Sequence, residues 1–331
     1  MMMRRACLLL LAAAALPAAA QQPVVPTEPR VEKVFDGGFF LEGPTAAPDG
    51  SIYFSDITNP ALSGLQLGHI WRYDPATRRT TIFRSPSGQS NGLEFDAEGR
   101  LVAVEGANAG GRRVTRTDMA TGRAVALVLN FNGRAFNSPN DVTIDERGRV
   151  WFTDPRYSGP EPLEQPVMGV FRVDSVGSAT LAVADAGKPN GIVISPDQRT
   201  LYLAVNDNGA TGPVPAGTVL RPGRRAVLAY DLADDGSARF RSVLVEWSAG
   251  GPDGIAVDVE GNVWVALAQP QESGVCAYAP DGRGLGCIPI PEVPSNVAFG
   301  RGAERSTLYV TARTGLYRVA VGREGYQLPN R

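Results

Sequence analysis

Apolar residues in this chain alternate with polar ones over short runs, and the runs are separated by turn residues. Gly50-Ser51-Ile52-Tyr53-Phe54, Gly99-Arg100-Leu101-Val102-Ala103, Gly148-Arg149-Val150-Trp151-Phe152 and Gly261-Asn262-Val263-Trp264-Val265 share one design: a turn glycine followed by a strand. No stretch keeps the 3.6-residue apolar period of a helix. A third strand follows, as in Ile70-Trp71-Arg72-Tyr73 and Val170-Phe171-Arg172-Val173, and turns such as Asp74-Pro75 and Pro280-Asp281 lead to a fourth. The anchor residues Tyr53, Val102, Trp151, Tyr202, Trp264 and Tyr309 recur roughly every 45 to 60 residues. Four strands repeated six times predict an all-β, six-bladed β-propeller with four antiparallel strands per blade and a central channel.

A second pattern sits ahead of each anchor. Counting back eleven residues reaches Glu42, Asn91, Asn140 and Asp253, and counting back twelve from Tyr202 reaches Asn190. Asn296, before Tyr309, fits with two extra residues. Asn or Asp beside Gly is a common turn pair, which explains any one copy by itself. Six copies in register instead place an oxygen-bearing side chain from every blade at one channel mouth. Two acids and four amides, with no Cys and no His, form a hard-oxygen set that suits Ca²⁺ first, Mg²⁺ or Mn²⁺ next, and Zn²⁺ poorly.

Composition narrows the picture. The 331 residues are 43% hydrophobic, enough for a large core, and the formal charge of −2 points to neither nucleic acid nor an anionic membrane. The 38 Gly and 26 Pro have no collagen-like period and read as turn residues. Residues 1–20 read as a signal peptide: Arg4-Arg5, an apolar run from Cys7 to Leu16, and Ala18-Ala19-Ala20 before the cut. Its removal takes away two Arg, leaves a formal charge of −4, and makes the protein exported, periplasmic or secreted. Residues 21–30 read as a flexible lead-in, 31–321 as the propeller and 322–331 as a C-terminal tail, with closure through Val31–Phe35 and Gly315–Val321. The insert between Asn206 and Arg225 reads as a loop over one mouth of the ring. Cys276 and Cys287 flank the hairpin turn Pro280-Asp281-Gly282-Arg283; their facing positions and the oxidising compartment predict a disulfide between them. A closed propeller needs no partner, so the chain is expected to be a monomer.

The motifs Leu41-Glu42-Gly43-Pro44, Asn137-Ser138-Pro139-Asn140-Asp141, Phe152-Thr153-Asp154-Pro155, Lys188-Pro189-Asn190-Gly191-Ile192 and Gly251-Pro252-Asp253-Gly254-Ile255 together resemble the gluconolactonase and regucalcin family, over residues 35 to 320. The resemblance implies a six-bladed propeller, a divalent ion in the channel, usually calcium, and hydrolysis of sugar-acid lactones; some relatives cleave phosphofluoridates. It implies Glu42, Asn190 and Asp253 as metal ligands, Asn140 as a ligand of metal or substrate, and Asp253 as the catalytic acid/base. Animal members carry an Arg two residues before the third-blade Asn, where this chain has Ser138, so that cation is not carried over. Asn91, Asn140 and Ser138 are then expected to orient a hydroxyl-bearing lactone.

Two other readings stand beside the lactonase: a related esterase or phosphotriesterase using the same site, and a non-catalytic binding or scaffold propeller. Gly88-Gln89-Ser90-Asn91-Gly92 matches G-x-S-x-G, but a strand pattern follows it where a nucleophile elbow needs a helix. The one histidine, His69, reads as a structural or surface residue and not as a triad member.

Overall fold

In a computed structural model, which describes residues 23–59, 67–209, 223–269 and 273–328, the chain forms six four-stranded antiparallel sheets arranged as a six-bladed propeller. The inner strands are Leu41–Ala46, Ser90–Phe95, Val142–Ile144, Pro189–Ile194, Gly251–Val257 and Pro294–Phe299. The second strands, Ile52–Asp56 to Thr307–Ala312, are almost wholly buried, because each packs against blades on both sides. The sixth blade takes its outer strand from the other end of the chain: Glu32–Asp36 pairs with Gly315–Ala320. This pairing closes the ring and removes two free sheet edges.

Among the described residues each blade interface has its own apolar cluster. Tyr53 and Ile70 of the first blade meet Leu93, Phe95 and Leu101 of the second. Trp151 packs with Ile192 and Leu203, and Trp264 with Val297 and Leu308. The turn before each of these two Trp residues explains a recurrent acid. Asp145 accepts from Arg149 N and from Trp151 Nε1, both at 3.0 Å, and Asp258 accepts from Asn262 N at 2.9 Å and Trp264 Nε1 at 3.1 Å. One carboxylate thus satisfies both the turn and the buried indole.

The ends of the described chain are packed. Val25 is buried in the cluster between blades five and six, and Gly322 N donates to Val24 O. Residues 325–328 cross the channel mouth opposite the candidate site. Tyr326 N donates to Val257 O, Tyr326 Oη donates to Glu146, and Leu328 joins the cluster between blades two and three. Cys276 and Cys287 face each other in the outer hairpin of blade five and form a disulfide, with Cα atoms 4.0 Å apart. The expected signal peptide and most of the Asn206–Arg225 insert lie outside the described residues.

Candidate metal and substrate site at the channel mouth

Five of the six inner strands begin with a β-bulge, which inserts one residue and turns the local side chains out of the ladder. The pairing slips between Glu42 and Thr45, Ser90 and Leu93, Pro189 and Ile192, Pro252 and Ile255, and Pro294 and Asn296. In the third blade Asn140 N instead donates to Thr153 O at 2.9 Å before the strand proper. The result is a cleft of about 240 Å³ lined by Glu42, Asn91, Ser138, Asn140, Asn190 and Asp253. All the catalytic, metal and substrate residues expected from sequence are therefore brought together.

Neighbouring blades are tied to one another at this level. Ser55 Oγ donates to Ser90 Oγ at 2.8 Å, Gly92 N to Asn140 O at 2.7 Å, and Thr153 Oγ1 to Asn190 O at 2.7 Å. Asp154 accepts from Asn137 N and Ser138 N at 2.8 and 2.7 Å, which fixes the loop that carries Ser138 and Asn140.

The sixth repeat needs a correction. The strand pairing matches Tyr53, Val102, Trp151, Tyr202, Trp264 and Tyr309 with Thr45, Glu94, Thr143, Val193, Ala256 and Ala298. Three residues before these partners stand Glu42, Asn91, Asn140, Asn190, Asp253 and Ser295. Asn296 is thus one position further along, level with Gly43, Gly92, Asp141, Gly191 and Gly254, and it does not line the cleft. The turn containing Gly302–Glu304 lengthens that repeat and hides the register. Ser295 Oγ contacts Leu41 O and Thr311 and knits blade six to blade one.

Asp141 and Asn296 form a second layer across the channel. The Asn296 amide favours the charged form of both Asp141 and Glu42, against their burial. Glycines leave the space: a Cβ on Gly254 would lie 2.0 Å from the Asn296 side chain, and one on Gly92 would lie 2.6 Å from Asp141 Oδ1. Asp141 also accepts from Val142 N at 2.9 Å and Ile192 N at 3.3 Å.

The electrostatics of the cleft follow from three carboxyls held close together, Glu42, Asp141 and Asp253. Burial, then the charges of Asp253 and Asp141, holds Glu42 well above the usual carboxylate range. Burial, then the charge of Asp141, pushes Asp253 to about 7, and the nearby Asn190 amide acts against both. Burial also pushes Asp141 to about 7. None of the described lining residues is Lys, Arg or His. Asn91 Oδ1 and Asn206 Oδ1 are buried acceptors with no hydrogen-bond partner. Uncompensated carboxylates beside orphaned amide oxygens suit a hard cation. Among the described residues no three Cys, His, Asp or Glu form a metal-ligand cluster, so a cation here would draw on two acids plus amides.

Several lining residues escaped the sequence reading: Tyr157, Asn206 and Asn208 on one wall, Phe40 and Ile57 on another. Tyr157 lies two residues past the end of the motif Phe152-Thr153-Asp154-Pro155. Asn206 ends a second strand. Ser90 is buried in a strand, and His69 bonds Ser85 Oγ and packs on Trp71, outside the cleft. Neither belongs to a nucleophile–base pair.

Residues 40–314 match the family described as the SMP-30/Gluconolactonase/LRE-like region. The chain is 31% identical over 252 residues to a gluconolactonase of Zymomonas mobilis, a match covering 72% of this chain and 64% of that one, just under two thirds of the relative. It is 31% identical over 278 residues to a pentonolactonase of Haloferax volcanii, covering 83% of this chain and 81% of the other. The solved structure of a gluconolactonase from Xanthomonas campestris superposes with a TM-score of 0.73 at 27% identity, covering 93% and 98% of the two chains. The fold, the channel-mouth cleft and these matches agree: the chain belongs to the SMP-30/gluconolactonase/LRE-like family.

Proposed function

We propose that the protein is a divalent-cation-dependent lactonase that opens aldonolactones to hydroxy acids. The observation that carries the reading is the pairing of Glu42 and Asp253 in a cleft otherwise lined by amides, hydroxyls and apolar groups, with no cationic side chain among the described residues. Relatives that share the fold over most of its length are a gluconolactonase and a pentonolactonase, which supports lactones as the substrate class.

Glu42, Asn140, Asn190 and Asp253 would hold the cation, Ca²⁺ by preference for a hard-oxygen set. When bound, the cation supplies Lewis-acid polarisation of the lactone carbonyl. Asp253, more exposed than Glu42, faces the cleft and takes a proton from the attacking water. Water adds to the carbonyl carbon, the ring C–O bond breaks, and the proton passes to the departing alkoxide as the hydroxy acid forms. Ser138 Oγ accepts from Ala107 N at 3.0 Å, which leaves its hydroxyl hydrogen for a substrate oxygen. Asn91 Oδ1, without a protein donor, accepts from a ring hydroxyl. Phe40 and Ile57 bound the remaining wall and exclude water from that side.

Export through residues 1–20 belongs to the same reading, and the Cys276–Cys287 bridge fits an oxidising compartment. Initial rates on five- and six-membered aldonolactones, beside an aryl ester and a phosphotriester, test the substrate class. Faster turnover of the lactones is expected. Faster turnover of the phosphotriester would move the assignment to that chemistry, and no turnover of any would leave a binding propeller.

A further inference from the structure

Tyr157 occupies an unusual place beside the expected ligands. It follows the third blade's second strand, Val150–Asp154, yet its hydroxyl reaches the fourth blade. Tyr157 Oη donates to Asn206 O at 3.1 Å and accepts from Asn190 Nδ2 at 3.2 Å. A phenol has one hydrogen, and the Asn206 carbonyl takes it. Toward Asn190, Oη therefore offers only lone pairs, and the amide must present its NH₂ and not its oxygen. That contact demands Nδ2, and Oδ1 is left for the cleft. The phenol ring is held from behind: Lys188 Nζ lies 4.4 Å from its centroid and donates to Asn208 Oδ1 at 3.1 Å.

We infer that Tyr157 is a positioning residue that sets the orientation of the Asn190 amide, so that Oδ1 and not Nδ2 is offered to a hard cation in the cleft. The inference rests on the cation reading above for its consequence, but the orientation itself is a property of the cation-free protein. Without Oη, the contact that forbids the flipped amide is lost. The flipped form would turn two N–H donors toward a positive charge.

The test uses Tyr157→Phe, which keeps the ring and the Lys188 contact and removes only Oη. Calorimetric titration with CaCl₂ is expected to show affinity weakened about 10- to 100-fold, the usual cost of losing a partner that orients a ligand. The urea midpoint of the cation-free protein should stay close to that of the parent. In an Asn190→Asp background both side-chain oxygens are acceptors, so orientation no longer matters. There Tyr157→Phe should change the CaCl₂ affinity by less than about threefold. The Asn190 side-chain NH₂ signals of the cation-free protein, assigned by their loss in Asn190→Asp, give a second readout: their exchange with water should quicken in Tyr157→Phe. Unchanged CaCl₂ affinity together with unchanged exchange overturns the inference. A parent protein that binds no CaCl₂, yet whose Asn190 amide is released by Tyr157→Phe, keeps the positioning role and overturns the cation reading alone.

Discussion

Asn296 of the sixth blade and Asp141 of the third hold the same level of the channel, one residue further along the inner strands than the cleft residues. Blades three and six are opposite in a six-membered ring, so the two stand across the channel from each other beneath the cleft. The Asn296 amide favours the charged form of both Asp141 and Glu42, against the burial that raises them. One uncharged donor therefore serves two buried acids. Asn296→Leu removes that donor and leaves both carboxyls short of a partner. A loss of about 1–3 kcal/mol in urea unfolding is expected, since stranding a buried polar group costs its desolvation. An unchanged midpoint would mean that the amide contributes nothing at this level of the channel.

The buried acids also set a pH dependence. Asp141, Asp154 and Asp253 are pushed to about 7 from about 4, so between these limits the folded chain binds protons that the unfolded chain has released. Stability without added cation is then greatest near pH 4 and falls as pH rises toward 7, by up to about 1.4 kcal/mol per pH unit for each proton. Urea midpoints between pH 4 and 8 check this. Asp253→Asn should flatten the slope, and a midpoint that rises steadily over the same range would contradict it.

The cleft rim depends on Glu161. Its carboxylate accepts from Asn108 N at 3.1 Å and Ala109 N at 2.6 Å, two residues in the left-handed region, at φ of 62° and 64°. The 155–168 loop thereby clasps the 106–112 loop, and each loop contributes to the cleft lining, through Tyr157 and Asn108. Arg156, fully buried, holds Asn137 O and Glu161 O from inside. Glu161→Gln loses one backbone bond and the charge. KM for a lactone is expected to rise about threefold to tenfold with kcat nearly unchanged, the equivalent of one lost hydrogen bond. A fall in kcat at constant KM would show that the rim acts on the chemistry instead.

How far these features could be read from the chain varies with their periodicity. The blades were readable because each repeat carries a turn glycine, a buried strand and an anchor such as Trp151 or Trp264. Glu42, Asn91, Asn140 and Asp253 were readable because each stands eleven residues before its anchor, and Asn190 because its repeat is longer by a single residue. Ser295 was missed, and Asn296 taken in its place, because the Gly302–Glu304 turn lengthens the sixth repeat. Tyr157, Asn206 and Asn208 lie off the repeat, at strand ends and in loops whose course depends on contacts such as Lys188 with the Tyr157 ring. No spacing rule along the chain encodes those contacts. Asp141 was visible in its motif, but the level it shares with Asn296 joins residues from opposite blades.

The Cys276–Cys287 bridge closes a short loop in an outer hairpin, far along the blade from the inner strands. Its reduction should cost about 3 kcal/mol, from the loop entropy returned to the unfolded chain. Thiol titration of the denatured, unreduced protein should find neither thiol free. Lactone turnover should survive reduction at temperatures where the fold persists; its loss there would tie the outer hairpin to the site.

The central claim is that Glu42 and Asp253 bind a divalent cation on which lactone hydrolysis depends. The direct measurement is the rate of gluconolactone hydrolysis by protein stripped with a chelator, then titrated with CaCl₂, beside Asp253→Asn carried through the same steps. The account predicts no turnover after stripping, recovery on adding Ca²⁺, and no recovery in Asp253→Asn with the fold intact. Full turnover by the stripped protein, or by Asp253→Asn, would contradict it.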